Sequence, residues 1–168
     1  MKKFLKYFLF AFVFVLLQVS LNNIVNTVAN KETFAASANY VEKERQFPIP
    51  MLVKTEQISP NQIQISYDRD VDMKLGTKAT NYWIQDTINV IPKGIATLGK
   101  NDKVNARNSL TDSNVKIESK NGSAKTFVLT FTEDIPSGAE YKLVICYVTV
   151  EGAPPYSGDN GTATFIGR

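Results

Sequence analysis

Three aspartates at alternate positions, Asp68, Asp70 and Asp72 in "DRDVD", come nearest in this sequence to a set of metal ligands. On extended backbone alternate side chains share one side, and several oxygens on one side are what a hard cation such as calcium requires. A calcium-binding helix-loop-helix is excluded. Counting Asp68 as the first ligand position puts Met73 where the loop needs glycine and Ala79 where it needs a bidentate glutamate. Two readings stand: a calcium site completed by another loop such as "SGDNG", or a solvated turn whose charge Arg69 and Lys74 partly neutralise.

The rest of the reactive inventory is short. The chain has no histidine and a single cysteine, Cys146. Ser-His-Asp and Cys-His mechanisms are therefore impossible, and zinc cannot find its usual nitrogen and sulfur ligands. Paired carboxylates remain available in principle, as in glycoside hydrolysis, but no Asp or Glu stands in a recognisable catalytic context. The sequence reads as non-enzymatic, with no cofactor apart from the calcium weighed above. Cys146, inside "LVICYVTV", has no basic residue nearer in sequence than Lys142 to lower its pKa, so it reads as a small buried hydrophobe.

Binding chemistry is concentrated in "GAPPYSGDNG", Gly152 to Gly161, between two apolar runs. Pro154 and Pro155 would stiffen such a loop and reduce the ordering cost of binding, and Tyr156 would offer a broad amphipathic contact surface. A glycan stacked on the ring, or a protein partner, would suit it. The alternative is a plain connector, because prolines and glycines are what turns contain, with Tyr156 folded back over a core edge.

These residues must be positioned by the elements around them, and the first element is not part of a fold. Lys2, Lys3 and Lys6 precede an uncharged apolar stretch from Tyr7 to Leu17, the order of a secretory signal, and Gln18, Ser20, Asn22 and Asn23 interrupt it before it reaches spanning length. Small-residue cleavage sites lie at Ala29 and Ala38, so residues 1–38 are read as signal peptide and export leader. The protein is expected to be secreted, extracellular or associated with the cell surface, touching a membrane only through the leader if that is uncleaved. Removing residues 1–38 deletes Lys2, Lys3, Lys6, Lys31 and Glu32 and leaves 15 basic groups against 15 acidic ones. A neutral chain with scattered charges argues against nucleic acid as a partner.

Residues 39–51 are polar, mixed in charge and contain Pro48 and Pro50, which reads as a linker. From residue 52 to 168 the dominant period is two. "NQIQISYD" alternates Ile63, Ile65 and Tyr67 with polar residues, "SNVKIES" does so with Val115 and Ile117, and "KTFVLTFTE" with Phe127, Leu129 and Phe131. "EYKLVICYVTVE" is apolar on both faces and predicts a central strand, while "MLVKTEQIS" and "GTATFIG" supply a first and a last. Asn121-Gly122 between alternating runs predicts a hairpin. The stretch from Asp86 to Asp112 is long for a connection and predicts short extra strands or a surface excursion. About seven to nine short strands in an all-β chain favour a β-sandwich.

Two stretches narrow that class. "IQISYDRDVDMKLGTKATNYWI", Ile63 to Ile84, and "FVLTFTEDIPSGAEYKLVI", Phe127 to Ile145, resemble the bacterial immunoglobulin-like domains of S-layer and other surface proteins. The resemblance implies an extracellular immunoglobulin-like β-sandwich that serves as a spacer, display or adhesive module. The expected partner is cell-wall polysaccharide or another surface protein, and the alternative function is a carbohydrate-binding module whose exposed aromatics would include Tyr156 and Tyr40. The residues add two structural expectations. Tyr141, following Gly138 at a strand start, can pack its ring inward and bond its hydroxyl to backbone a few residues upstream. Trp83, on the strand opening "NYWI", is the expected centre of the core.

Overall fold

The computed structural model describes residues 47–168; the leader, Tyr40 and the linker up to residue 46 lie outside the described residues. Seven strands follow in order: β1 (Leu52–Ser59), β2 (Gln62–Tyr67), β3 (Tyr82–Asp86), β4 (Val115–Ser119), β5 (Thr126–Phe131), β6 (Glu140–Cys146) and β7 (Asp159–Ile166). They form two antiparallel sheets, one ordered β1-β2-β5-β4 and the other β3-β6-β7. The fold is a β-sandwich whose regular structure is mostly strand.

The alternating sequences become strands because each offers one apolar face. In β2 and β5 the register pairs Ile63 with Leu129 and Ile65 with Phe127, so four fully buried side chains meet on one face of the four-stranded sheet. Val115 and Ile117 of β4 extend that face, and Tyr67 meets Phe127 edge to face with ring centroids 6.0 Å apart. The other sheet answers with Tyr82, Ile84, Tyr141, Leu143 and Ile145, and the two sets make one core. Burying a side chain of this size stabilises by about 1.5–3 kcal/mol, an upper estimate because unfolded chains already bury some of it.

Strand β6 sits between β3 and β7 and is buried on both faces near its end, as its double-sided apolar run predicts. Asn121 (φ 54°) and Gly122 (φ 76°) turn the chain from β4 to β5 at the expected place. A one-turn helix, α1 (Met73–Gly76), follows β2, and its last carbonyl, of Gly76, accepts a 2.5 Å bond from the buried Tyr82 hydroxyl. That hydroxyl also lies 2.9 Å from the hydroxyl of Tyr67, and burial raises the pKa of both phenols.

The linker segment is already part of the domain at its end. Met51 exchanges backbone and side-chain bonds with Asp68, and the Pro50 carbonyl accepts a 2.9 Å bond from Asn160.

Candidate functional site

The acidic turn comes first. Asp68 is gripped by its neighbour: Arg69 Nη2 lies 2.6 Å from Oδ2, and Nε is 3.1 Å from Oδ1. That pairing, helped by the Met51 amide, holds the Asp68 carboxyl at a pKa of about 2. Asp72 is instead the N-cap of α1, its Oδ1 accepting from Lys74 N at 2.8 Å and Leu75 N at 3.1 Å. Asp68 and Arg69 lie in a bend rather than in extended strand, and the Asp68 and Asp72 carboxylates bond different partners. The other loop does come near, since Asp72 N donates to Thr149 O, but Asp159 Oδ1 is taken by Gly161 N at 2.9 Å. Among the described residues no three acidic, Cys or His side chains gather as a cation site.

The β6–β7 connection, residues 147–158, carries the expected contact residues. Pro154 and Pro155 are exposed and Tyr156 is half-buried. The Tyr156 hydroxyl donates to Asp159 O at 3.0 Å, so the side chain fastens to its own loop. Gly158 makes room for it, since a Cβ there would collide with the Tyr156 hydroxyl. Three of the ten residues quoted as loop, Asp159, Asn160 and Gly161, belong to β7.

Asn160 is the residue that sequence reading missed. It is fully buried, and its Oδ1 accepts from Val148 N at 2.9 Å while Nδ2 donates to Val148 O at 2.7 Å and to Pro50 O at 2.9 Å. An asparagine between Asp159 and Gly161 reads as turn chemistry, and nothing local distinguishes it from one.

Trp83 corrects a second expectation. It is buried, but away from the main core, in a smaller cluster with Leu98, Val144 and Cys146 on the opposite face of the three-stranded sheet. Parity is the reason: Tyr82 and Ile84 face the core, so Trp83 between them cannot. Its indole N–H donates to Asn105 O at 2.9 Å and Asn108 Oδ1 at 3.1 Å, both in the β3–β4 connection, residues 87–114. Cys146 is a free, buried thiol, and burial, aided by the charge of Asp159, pushes its pKa up.

Tyr141 corrects the third. Its ring is buried as expected, but its hydroxyl donates to Lys93 O at 3.2 Å, in the β3–β4 connection rather than a few residues upstream. Burial raises its pKa first, and the charges of Asp86 and Glu133 add to that. Across the sheet Tyr141 pairs with Asp86, whose Oδ1 accepts from Ile88 N at 2.9 Å and Asn89 N at 2.7 Å. Burial alone would push the Asp86 carboxyl up, but the bonds from Asn89 and Ile88 outweigh it and hold it below its usual value.

The connection is therefore gripped from both faces of β3. Asp86 and Tyr141 hold its start, while Trp83 and Gln85, which donates to Gly99 O at 3.1 Å, hold its return over the outer face. It also closes the free edge of β3, through Thr97 N and Leu98 N on Ile84 O and Leu110 N on Tyr82 O. No regular strand forms in it, only an isolated bridge between Gln85 and Leu98, so the surface excursion is the form it takes.

A shallow groove of about 650 Å³ runs between β1 and β7, lined by Thr55, Glu56, Gln57, Glu140, Phe165 and Arg168 among others. Two carboxylates share it, but each has a partner: Glu56 pairs with Lys54 at 2.8 Å, and Glu140 Oε1 accepts from Thr87 Oγ1 at 2.9 Å. A glycoside-cleaving pair needs one carboxyl raised to serve as acid, and the Lys54 ammonium moves Glu56 the other way.

Three solved structures of an S-layer protein, the class of surface protein met in the sequence resemblance, are similar to this chain. The N-terminal part of the bacterial S-layer protein SbsC is 14% identical, with a TM-score of 0.49, over 82% of this chain and 27% of that one. Domains 1–6 of SbsC match at 14% identity and a TM-score of 0.48, over 70% of this chain and 13% of theirs. The S-layer protein rSbsC(31-844) matches at 15% identity and a TM-score of 0.49, over 82% of this chain and 16% of that one. This chain thus spans about a quarter or less of the SbsC chains it matches. No protein-family model and no curated protein matches it. A likeness this weak fixes neither a family nor an activity.

Proposed function

We propose that the chain is an exported, non-enzymatic immunoglobulin-like module that acts as a structural, adhesive or interaction domain at or outside the bacterial cell surface. The observation that carries this reading is the strand order. Sheets ordered β1-β2-β5-β4 and β3-β6-β7 follow the ABED and CFG arrangement of seven-stranded immunoglobulin domains. The sequence adds a leader with the charged-then-apolar order of an export signal and a chain without histidine. The buried polar groups support a scaffolding role, because Asn81, Asp86 and Asn160 all bond backbone of a neighbouring segment.

The test is expression with the native leader in a bacterial host, followed by intact mass of the protein in medium, wall and cytosolic fractions. The reading expects protein outside the cell with a mass that begins near Asn30 or Asn39. Full-length protein confined to the cytosol would overturn it.

A carbohydrate-binding module is the second reading, favoured by the exposed Pro154 and Pro155 beside Tyr156 on a self-fastened loop. Retention on purified cell wall that Tyr156→Ala abolishes would select it.

A further inference from the structure

The β3–β4 connection exposes apolar side chains that it also holds in place. Ile88, Val90 and Ile91 are 61%, 64% and 78% exposed, three branched hydrophobes within four residues. Single exposed hydrophobes are ordinary on a protein surface, but a contiguous protruding group is a contact surface. This group is not a slack loop. The Asp86 carboxylate takes the amides of Ile88 and Asn89, Asn89 Nδ2 returns a 2.9 Å bond to Asp86 Oδ2, and Asn89 O accepts from Lys100 N at 2.8 Å. Gly99 lies so close beneath Val90 O that a Cβ would collide with it. These bonds hold Asn89 inward while Ile88, Val90 and Ile91 stay exposed.

Cations lie along the same connection. Lys93 stands two residues after Ile91, Lys100 lies against Asn89, and Lys103 and Arg107 continue on the same connection; all four are exposed. The ion pairs among the described residues use Lys54, Arg69 and Lys116, so none of these four is neutralised by one. Of the nearby acids, Asp86 is buried against Ile88 and Asn89, Asp102 accepts from Gly99 N at 2.8 Å, Glu140 accepts from Thr87 Oγ1 at 2.9 Å, and the charge of Glu133 acts on Tyr141.

We propose that this connection docks on an anionic phospholipid bilayer, with Ile88, Val90 and Ile91 entering the boundary between headgroups and acyl chains while Lys93 and Lys100 meet lipid phosphates. An exposed apolar group with lysines outside any ion pair beside it complements that surface in charge, and a bilayer needs no preformed pocket to receive it. The contact is separate from the leader and would hold the domain at a membrane after the leader is removed.

The test is co-sedimentation of the exported protein, freed of its leader, with vesicles of phosphatidylcholine alone and of phosphatidylcholine with phosphatidylglycerol in equal parts. Wild type is compared with Ile88→Ser/Val90→Ser/Ile91→Ser and with Lys93→Glu/Lys100→Glu. Trp83 fluorescence reports that each variant has kept its fold. The proposal expects binding favoured by the anionic lipid and weakened by salt, and a loss on the order of tenfold in each variant. Equal binding of wild type to both vesicle types, equal binding by wild type and the serine variant, or no vesicle binding at all would each overturn it.

Discussion

The tip of the β6–β7 connection is fastened to itself, whereas the β3–β4 connection is fastened to a sheet. In the first, Tyr156 closes onto Asp159 and the prolines limit the backbone, all within a few residues. In the second, Trp83, Gln85, Asp86 and Tyr141 reach out of β3 and β6 to hold a long irregular segment at four places. Stiffness written into composition is local and shows in the sequence. Stiffness supplied by a neighbouring sheet is invisible until the chain has folded, and here it is the second kind that presents the larger apolar surface.

The most severe challenge to this contrast is Trp83→Ala. Removing a buried indole that packs with Leu98, Val144 and Cys146 is expected to cost about 3–5 kcal/mol and to free the β3–β4 return, read as a lower denaturant midpoint and loss of amide protection at Leu98 and Leu110. Protection at Val148 should change far less.

Asn160→Ala attacks the other connection at its root. It leaves the amide and carbonyl of Val148 and the carbonyl of Pro50 without their partner, for about 3 kcal/mol by the same denaturation measurement. A cost near zero would show that water replaces the side chain and that this root is not the anchor described.

Tyr141→Phe keeps the ring and removes one bond to Lys93, an expected loss of about 1 kcal/mol, with protection falling at residues 88–93 and not in the β6–β7 connection. Acid should act on the same place. The Asp86 carboxyl has a lowered pKa in the folded state, so its contribution is present above its unfolded value of about 4 and is lost as pH falls through the folded value. The amide resonances of Ile88 and Asn89 should move with a midpoint below the ordinary carboxylate range. Tyr156→Phe is the smallest change, about 0.5 kcal/mol or less, because its one bond lies at the surface.

What could be read beforehand follows from how far each interaction reaches along the chain. The alternation of Ile63, Ile65 and Tyr67, or of Phe127, Leu129 and Phe131, is local, and the strands formed where it appears. The same was true of the Asn121-Gly122 turn and of Cys146 as a packed thiol. The face taken by Trp83 could not be read, because Tyr82, Trp83 and Ile84 are all apolar and a run without alternation names no face. Asp72 became a cap because α1 begins there, which the row of aspartates did not announce.

The class was legible in the residues alone: all-β, strands of period two, a double-faced central strand, a hairpin at Asn121, and no histidine with which to build the common hydrolytic sites. Strand pattern needs only the side chains of one segment and a solvent to avoid. What each singled-out side chain does was settled by the fold. Tyr141 holds Lys93, Asn160 ties Val148 to Pro50, and Trp83 roofs the outer sheet, each bond joining residues a dozen to more than a hundred positions apart. Such partners exist only once the sheets have brought them together, because no local rule pairs residues that meet through tertiary contact alone.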